Sequence, residues 1–326
     1  MTTFGFATVS YFGGPVVGVV VEDRWIPLSR LAARPGAPGP VPATVSSLAE
    51  MWDPWVAWVA DQPLSPTDGE WLPTAAARFL PALTAPPTIY CAGANYVDHA
   101  QAMHPTAVFA PACPYHFIVS RQALAAHRQP VVRPPGCVQL DWEVELALVI
   151  GRRAEAVPVE RALDHVAGYT IANDISARDL AVRTDDQPFR LDWLKHKSYA
   201  TFLPLGPVVV PRRFVPDPQD LRLSLTVNGE TRQDSSTARM VFSCAEQIAA
   251  LSAVVALVPG DVVCTGTPAG TGHESGCYLE VGDALVARVE RLGELENTVV
   301  ERDQPGSAAS GSAPRLRQAP RAGPRP

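Results

Sequence analysis

The chain lacks the features that most quickly assign a protein to a class. No apolar run reaches the ~18 to 20 residues that a bilayer-spanning helix needs, and the opening MTTFGFATVSYFGGP has neither the charged start nor the apolar block of a secretory signal. A cytoplasmic protein with no membrane partner is the expectation. There is no C-x-x-C pair: Cys91, Cys113, Cys137, Cys244, Cys264 and Cys277 are scattered, which argues against a zinc site or disulfide frame and for reduced, mostly buried thiols. There is no basic patch interleaved with aromatics, and the net charge of -6 with a pI near 5.7 argues against nucleic acid as partner. Neither a Walker A nor a G-x-G-x-x-G stretch occurs, so nucleotide binding has no support. What is present is 326 residues, 47% hydrophobic and 18% charged, enough to bury a sizeable core. A small substrate, anionic or metal-bound, fits this composition.

Residues 4 to 30 read as two or three strands joined by a Gly-Gly-Pro turn, followed by the Pro/Gly break RPGAPGPVPAT. TVSSLAEMWDPWVAWVADQPL has a helical pattern that Pro54 is expected to interrupt. These segments predict a small N-terminal β-rich domain over residues 1–75. A Pro-Pro linker then leads into the main domain, taken as 85–302, where strand signals dominate: TIYCAG, VELALVIG, AGYTIAND, LPLGPVVVP, LRLSLTVNGETRQ, GDVVCTGTP and GDALVARVERLGELENTV. Asn228-Gly229 between alternating apolar residues is a hairpin signal. Ser243 with Glu246 three residues on predicts a capped helix over 243–257. From 303 to 326 the composition turns to Pro, Gly, Ser, Ala and Arg, which cannot bury enough apolar area to fold. The sum is an α+β, β-rich fold.

DWEVELALVIG, residues 141–151, sets Asp141, Glu143 and Glu145 at every second position. On a strand these three share one face, with Trp142, Val144 and Leu146 on the other, and the acidic face continues as Ala147 and Val149. Two unpaired carboxylates at such depth would cost several kcal/mol, so a cation, a buried Arg or a raised pKa must answer them. Oxygen-rich sites suit Mg²⁺ or Mn²⁺; a solvated outer strand face is the alternative. In GYTIANDISARD an apolar strand ends at Asn173-Asp174, where Asp174 is either a third ligand or a turn residue, and Ser176 with Asp179 has helix N-cap spacing. WLKHKSYATF brings Lys195, His196 and Lys197 ahead of another strand; a lysine there is either solvated or placed to meet an enolate. PGDVVCTGTPAGTG is a turn, a strand and a Gly/Thr-rich loop whose Thr265 and Thr267 hydroxyls could hold a carboxylate or carbonyl oxygen.

In order and spacing these motifs resemble the fumarylacetoacetate hydrolase family, with its G-x-N-Y-x-x-H, D-x-E-x-E-L-x-x-V-I-G, N-D-x-[ST]-A-R-D, K-S-[FY] and P-G-D-x-x-x-T-G-T-P-x-G segments. This chain supplies GANYVDH at 93–99, DWEVELALVIG, NDISARD, KSY at 197–199 and PGDVVCTGTPAG at 259–270. The resemblance implies a distorted β-roll, a homodimer, and a divalent metal, Mg²⁺ or Mn²⁺ with Ca²⁺ as a further candidate. By position it implies Glu143, Glu145 and Asp174 as metal ligands and Lys197 and His99 as catalytic residues. Thr267, Gly266, Arg178 and Tyr96 become substrate-binding residues. The implied substrates are 2-oxo and β-dicarbonyl acids, and the implied reaction is metal-assisted C-C bond cleavage.

Three positions depart from the family pattern. His99 is expected to work with a glutamate three residues later, but that residue is Ala102, so the dyad is broken unless Gln101 or a distant acid substitutes. The family's F-x-K-P segment is FIVS, with Val119 for the lysine, and Ala200 replaces an acid in KSYATF. These changes leave a hydrolase, a non-hydrolytic decarboxylase, isomerase, tautomerase or cyclase, and a non-catalytic ligand-binding homologue as the competing readings.

Overall fold

The computed structural model describes residues 2–103, 111–185, 188 and 190–302; the predicted tail over 303–326 lies outside the described residues. At the N-terminus β1 (Gly5–Tyr11), β2 (Gly14–Val21) and β3 (Arg24–Pro27) form an antiparallel meander. Its first turn is Phe12-Gly13, both with positive φ, the backbone a two-residue hairpin requires. Helix α1 (Trp52–Ala60) follows, and Pro54 does not interrupt it. It sits in the first turn, where the missing N–H would have had no intrahelical partner. Trp52, Trp55, Val56 and Val59 are buried, and Trp52 meets Phe6 of β1 edge-on at 5.2 Å.

The remainder runs β4 (Ile89–Gly93), α2 (Val97–Met103), β5 (Tyr115–Ile118), β6 (Val131–Arg133), β7 (Val144–Ile150), β8 (Val166–Asn173), α3 (Arg178–Ala181), α4 (Trp193–Lys197) and β9 (Leu203–Pro211). It continues through β10 (Arg222–Val227), β11 (Glu230–Ser236), α5 (Cys244–Ser252), β12 (Val262–Cys264), α6 (Gly272–Ser275), β13 (Ala284–Val289) and β14 (Gly293–Glu301). Every strand signal of the main domain finds its strand. Asn228 and Gly229 turn between β10 and β11 with φ of 52° and 80°. Ser243 and Glu246 form the reciprocal capping box of α5. That helix stops at Ser252 rather than 257, because the N–H groups of Val254 and Val255 both return to the Leu251 carbonyl as a turn.

Nine strands of a twelve-stranded sheet follow the path β3-β2-β1-β9-β8-β7-β12-β4-β5, with three two-residue strands at its edges, and a five-stranded sheet follows the path β11-β10-β13-β14-β6. The N-terminal meander is continuous with the larger sheet, since β1 pairs with β9 at Phe6 and Val209. All residues of β7 and β8 are buried, which explains why both read as near-continuous apolar runs. An acid on β7 is therefore in the core on either face. The expected N-cap at Ser176 is absent: Ser176 lies in a short ribbon paired with Asp141, and its hydroxyl donates to the Asp174 carbonyl. Asp179 instead accepts from the N–H groups of Val138 and Gln139.

Candidate metal centre and active site

The carboxylate stretch is not one continuous strand. Leu140–Asp141 pairs with Ser176–Ala177, and β7 begins only at Val144. At the break, Glu143 N–H donates to Asn173 Oδ1 at 2.9 Å and Val144 N–H to Gln233 Oε1 at 3.0 Å. Asp141 consequently leaves the shared face. Its Oδ1 accepts from Gly272 N–H at 2.6 Å, and its Oδ2 from His273 N–H at 3.0 Å and Arg178 Nε at 2.9 Å. Gly272 has no room for a side chain, since a Cβ would stand 2.2 Å from the Cys277 carbonyl and 2.8 Å from Asp141 Oδ1.

Glu143 and Glu145 keep a common face, and Asp174, just past the end of β8, completes the set. One oxygen of each lies within 4.8 Å of the others, and all three residues are buried. Lys197 is buried at the last position of α4 rather than solvated; its Nζ donates to Glu143 Oε2 at 2.7 Å, Asp174 Oδ2 at 2.8 Å and the Asp174 carbonyl at 3.1 Å. Arg178 Nη2 reaches Glu143 Oε1 at 2.5 Å. Glu145 Oε2 accepts from the Gly266 N–H at 2.8 Å.

Charge separates the three acids. Burial pushes Glu143 up, but Lys197 and Arg178 overcome it and hold the carboxyl well below its usual range. Asp174 rises to about 6 because burial and the Glu143 charge outweigh Lys197. Glu145 is pushed well up by burial, with Cys264, Asp174 and Glu143 adding to it. Asp174 Oδ1 is buried with no hydrogen-bond partner among the described residues. Four carboxylates, counting Asp141, thus face two cations, Lys197 and Arg178. An all-oxygen cluster short of positive charge, with an unanswered oxygen, fits a hard divalent cation.

His99, on α2, provides the second half of the site. Its Nδ1 lies 2.6 Å from Glu274 Oε1 on α6, and Glu274 Oε2 accepts from Gly270 N–H at 2.6 Å. Ala102 is exposed. The histidine nevertheless has a carboxylate partner, a distant acid 175 residues along the chain. Burial pushes Glu274 up, yet the hydrogen bonds from His99 and Gly270 leave it below its usual range.

Thr265 and Thr267 hydroxyls both donate to β7 carbonyls, Leu146 and Val144, each at 2.8 Å. Thr267 also accepts from Gln233 Nε2 at 2.8 Å. The Thr-rich loop is thereby pinned to the strand that carries the acids. His99, Glu143, Asp174, Arg178, Lys197 and Thr267 surround a cavity of about 60 Å³. Gly266 contributes through its N–H to Glu145. Tyr96 is fully buried and lies off the cavity wall, its hydroxyl without a partner among the described residues. Sequence reasoning missed Glu274 and Gln233 as site residues. HES after a Gly-rich loop and QDSS in a hairpin carry no local signal of function.

The fold and site together define a β-rich enzyme built around an acidic, cation-ready centre. The chain belongs to the fumarylacetoacetate hydrolase family: the family description "Fumarylacetoacetate (FAA) hydrolase C-terminal" matches residues 88–300. It is 39% identical over 231 residues to human "Oxaloacetate tautomerase FAHD2A, mitochondrial", covering 70% of this chain and 71% of that one. Among solved structures it is similar to a fumarylacetoacetate hydrolase from Exiguobacterium antarcticum, with a TM-score of 0.75, 29% identity, and 92% and 100% of the two chains covered. A fumarylpyruvate hydrolase from Pseudomonas aeruginosa in complex with Mn²⁺ and pyruvate matches with a TM-score of 0.59 and 31% identity, over 69% of this chain and 92% of that one. No helix among the described residues is long and apolar enough to cross a membrane.

Proposed function

We propose that the protein moves a proton on an enolisable 2-oxo acid, interconverting the keto and enol forms of an oxaloacetate-like dicarboxylic acid. The observation that carries this reading is the His99–Glu274 pair at 2.6 Å, on the same small cavity as Lys197 and the acidic cluster. With Nδ1 committed to Glu274, Nε2 is the nitrogen His99 has left for substrate. Glu274 fixes the ring and stabilises the imidazolium that forms when Nε2 takes a proton from the carbon next to the ketone. Lys197 and Arg178 lie where negative charge would gather on the enolate oxygen and carboxylate. A divalent cation held by Glu143, Glu145 and Asp174 would orient the 2-oxo acid and draw electron density from it. The sequence relatives named oxaloacetate tautomerases support the same reading.

A second reading is hydrolysis of a C-C bond in an acylpyruvate. It is favoured by the same histidine, since a carboxylate-held imidazole can equally take a proton from water, and by the hydrolase names among the solved relatives. The two readings separate in one experiment: exchange of the C-3 hydrogens of oxaloacetate into ²H₂O followed by NMR with Mg²⁺ or Mn²⁺, beside ¹⁸O incorporation into products of an acylpyruvate. Exchange that His99→Ala lowers by about 10²- to 10⁴-fold supports the tautomerase. Labelled carboxylate product with no accelerated exchange moves the assignment to the hydrolase, and cation binding without either reaction moves it to a ligand-binding homologue.

A further inference from the structure

The seam between the N-terminal meander and the smaller sheet holds a cavity of about 560 Å³, and none of its lining residues borders the acidic cavity. Small-ligand sites span roughly 300–1,000 Å³. One wall is formed by residues 75–80, which include the two-residue strand Arg78–Phe79 paired with β1. The other is the turn 126–130 that leads into β6. That turn is pinned to β14, where Asn297 Nδ2 donates to the carbonyls of Ala126 and Gln129 at 3.0 and 2.8 Å.

Three side chains on these walls carry donors without a full set of acceptors. The Arg78 guanidinium has no hydrogen-bond or ion-pair partner among the described residues. Arg128 Nε donates to Glu296 Oε2 at 3.2 Å and Nη1 to the Ala75 carbonyl at 3.3 Å, which leaves Nη2 over. His127 is 9% exposed, and its Nδ1 accepts from the Glu296 N–H at 3.1 Å. An accepting Nδ1 places the ring's proton on Nε2, and no described group accepts a hydrogen bond from it. Buried donors are normally paired. Burial, then Arg128, lowers this imidazole to about 4, so the ring is neutral near pH 7. The acids nearby are already engaged: Glu296 holds Arg128, and Glu294 holds Arg288 at 2.7 Å.

Backbone conformation singles out Arg128. Its φ is 64°, a left-handed value that glycine or asparagine adopts at less cost, and its N–H is fixed on the Glu296 carbonyl at 2.7 Å. Glycine would serve that turn without strain, so the turn alone does not explain an arginine there. Behind these donors Phe79 meets His127 edge-on at 5.5 Å. The cavity is thus rich in donors and short of negative charge.

We propose that the seam is an anion-binding site, in which Arg78, His127 Nε2 and Arg128 Nη2 hold a compact dianion, a small dicarboxylate or a phosphate group. Guanidinium bonds to carboxylate or phosphate belong to the stronger, charge-assisted class. Because Arg78 and Arg128 come from the two walls, the bound anion ties the N-terminal meander to the main domain.

The test is calorimetric titration of the full chain, without added metal, with succinate and with inorganic phosphate, beside ¹H–¹⁵N spectra of the histidine rings. At least one anion is expected to bind and to move the His127 Nε2 signal. Arg78→Ala should weaken that binding by about 10-fold or more at unchanged Tm, and Arg78→Lys should keep part of it. Tighter binding of succinate assigns the site to a dicarboxylate, and tighter binding of phosphate assigns it to a phosphate group. If Arg78→Ala does not fold, the His127 signal of the wild type decides. Binding that Arg78→Ala leaves intact, or that leaves the His127 signal in place, would overturn the site, as would no binding of either anion.

Discussion

His99 Nδ1 and Glu274 Oε1 stand 2.6 Å apart although 175 residues separate them in the chain. The acid is delivered by α6, whose position depends on Asp141, since Asp141 accepts the N–H groups of both Gly272 and His273. One acid of the DWEVE stretch thus positions the partner of His99, while the other two enter the buried acidic cluster.

That arrangement predicts strong coupling. Glu274→Gln should lower kcat by about 10- to 100-fold and His99→Ala by about 10²- to 10⁴-fold, with the double variant no worse than His99→Ala by itself. A double-mutant cycle on kcat measures this. Strict additivity of the two losses would show that the residues do not act as a unit.

The cluster predicts a cation-dependent stability. Mn²⁺ or Mg²⁺ should raise the Tm of the wild type but not of Glu145→Ala or Asp174→Ala. In metal-free protein, Lys197→Met should cost about 3–5 kcal/mol, because it strips Asp174 of its cation and leaves Glu143 with Arg178 alone. Thermal melts with and without added cation read both effects. A Tm that no divalent ion moves would remove the metal assignment.

Gln233 is fully committed: it accepts from Val144 N–H at 3.0 Å and donates to Thr267 Oγ1 and the Pro268 carbonyl, each at 2.8 Å. It ties the smaller sheet to the start of β7 and to the Thr-rich loop. Gln233→Leu should lose at least about 2 kcal/mol in urea unfolding and raise KM as Thr267 loosens. Unchanged stability would mean that the two sheets hold the loop without it.

His127 predicts an acid limb away from the site. Burial chiefly, helped by Arg128, lowers its imidazole to about 4. The ring must stay neutral for Nδ1 to accept from Glu296 N–H at 3.1 Å. A histidine lowered in the folded state stabilises above its unfolded pKa of about 6.5, and that contribution is lost as pH falls from there toward 4. Between pH 7 and 4.5 the wild type should lose about 2 kcal/mol more than His127→Gln, measured by urea unfolding. Parallel losses in the two proteins would exclude His127 as the source.

Much of this protein was legible in its sequence because it is written in local chemistry. Period-two and continuous apolar runs announced the strands, Asn228-Gly229 its hairpin, and Ser243 with Glu246 the start of α5. Glu143 and Glu145 stood out as acids spaced along an apolar strand, and the family resemblance added Asp174 to them. Local reading failed where long-range bonds override local pattern. The N-cap spacing of Ser176 and Asp179 was overruled by pairing with the Leu140–Asp141 ribbon, and Asp141 left its expected face because the ladder breaks at Glu143.

Strand identity, the alternation of Glu143 and Glu145 and the family motifs are properties of neighbouring residues, and neighbouring residues were enough to determine them. Which acid serves His99 and whether a lysine is solvated or buried against two carboxylates are matters of contacts between distant segments. Only the closing of the sheets decided those, because a hydrogen bond or an ion pair depends on distance in space and leaves no periodicity in the chain.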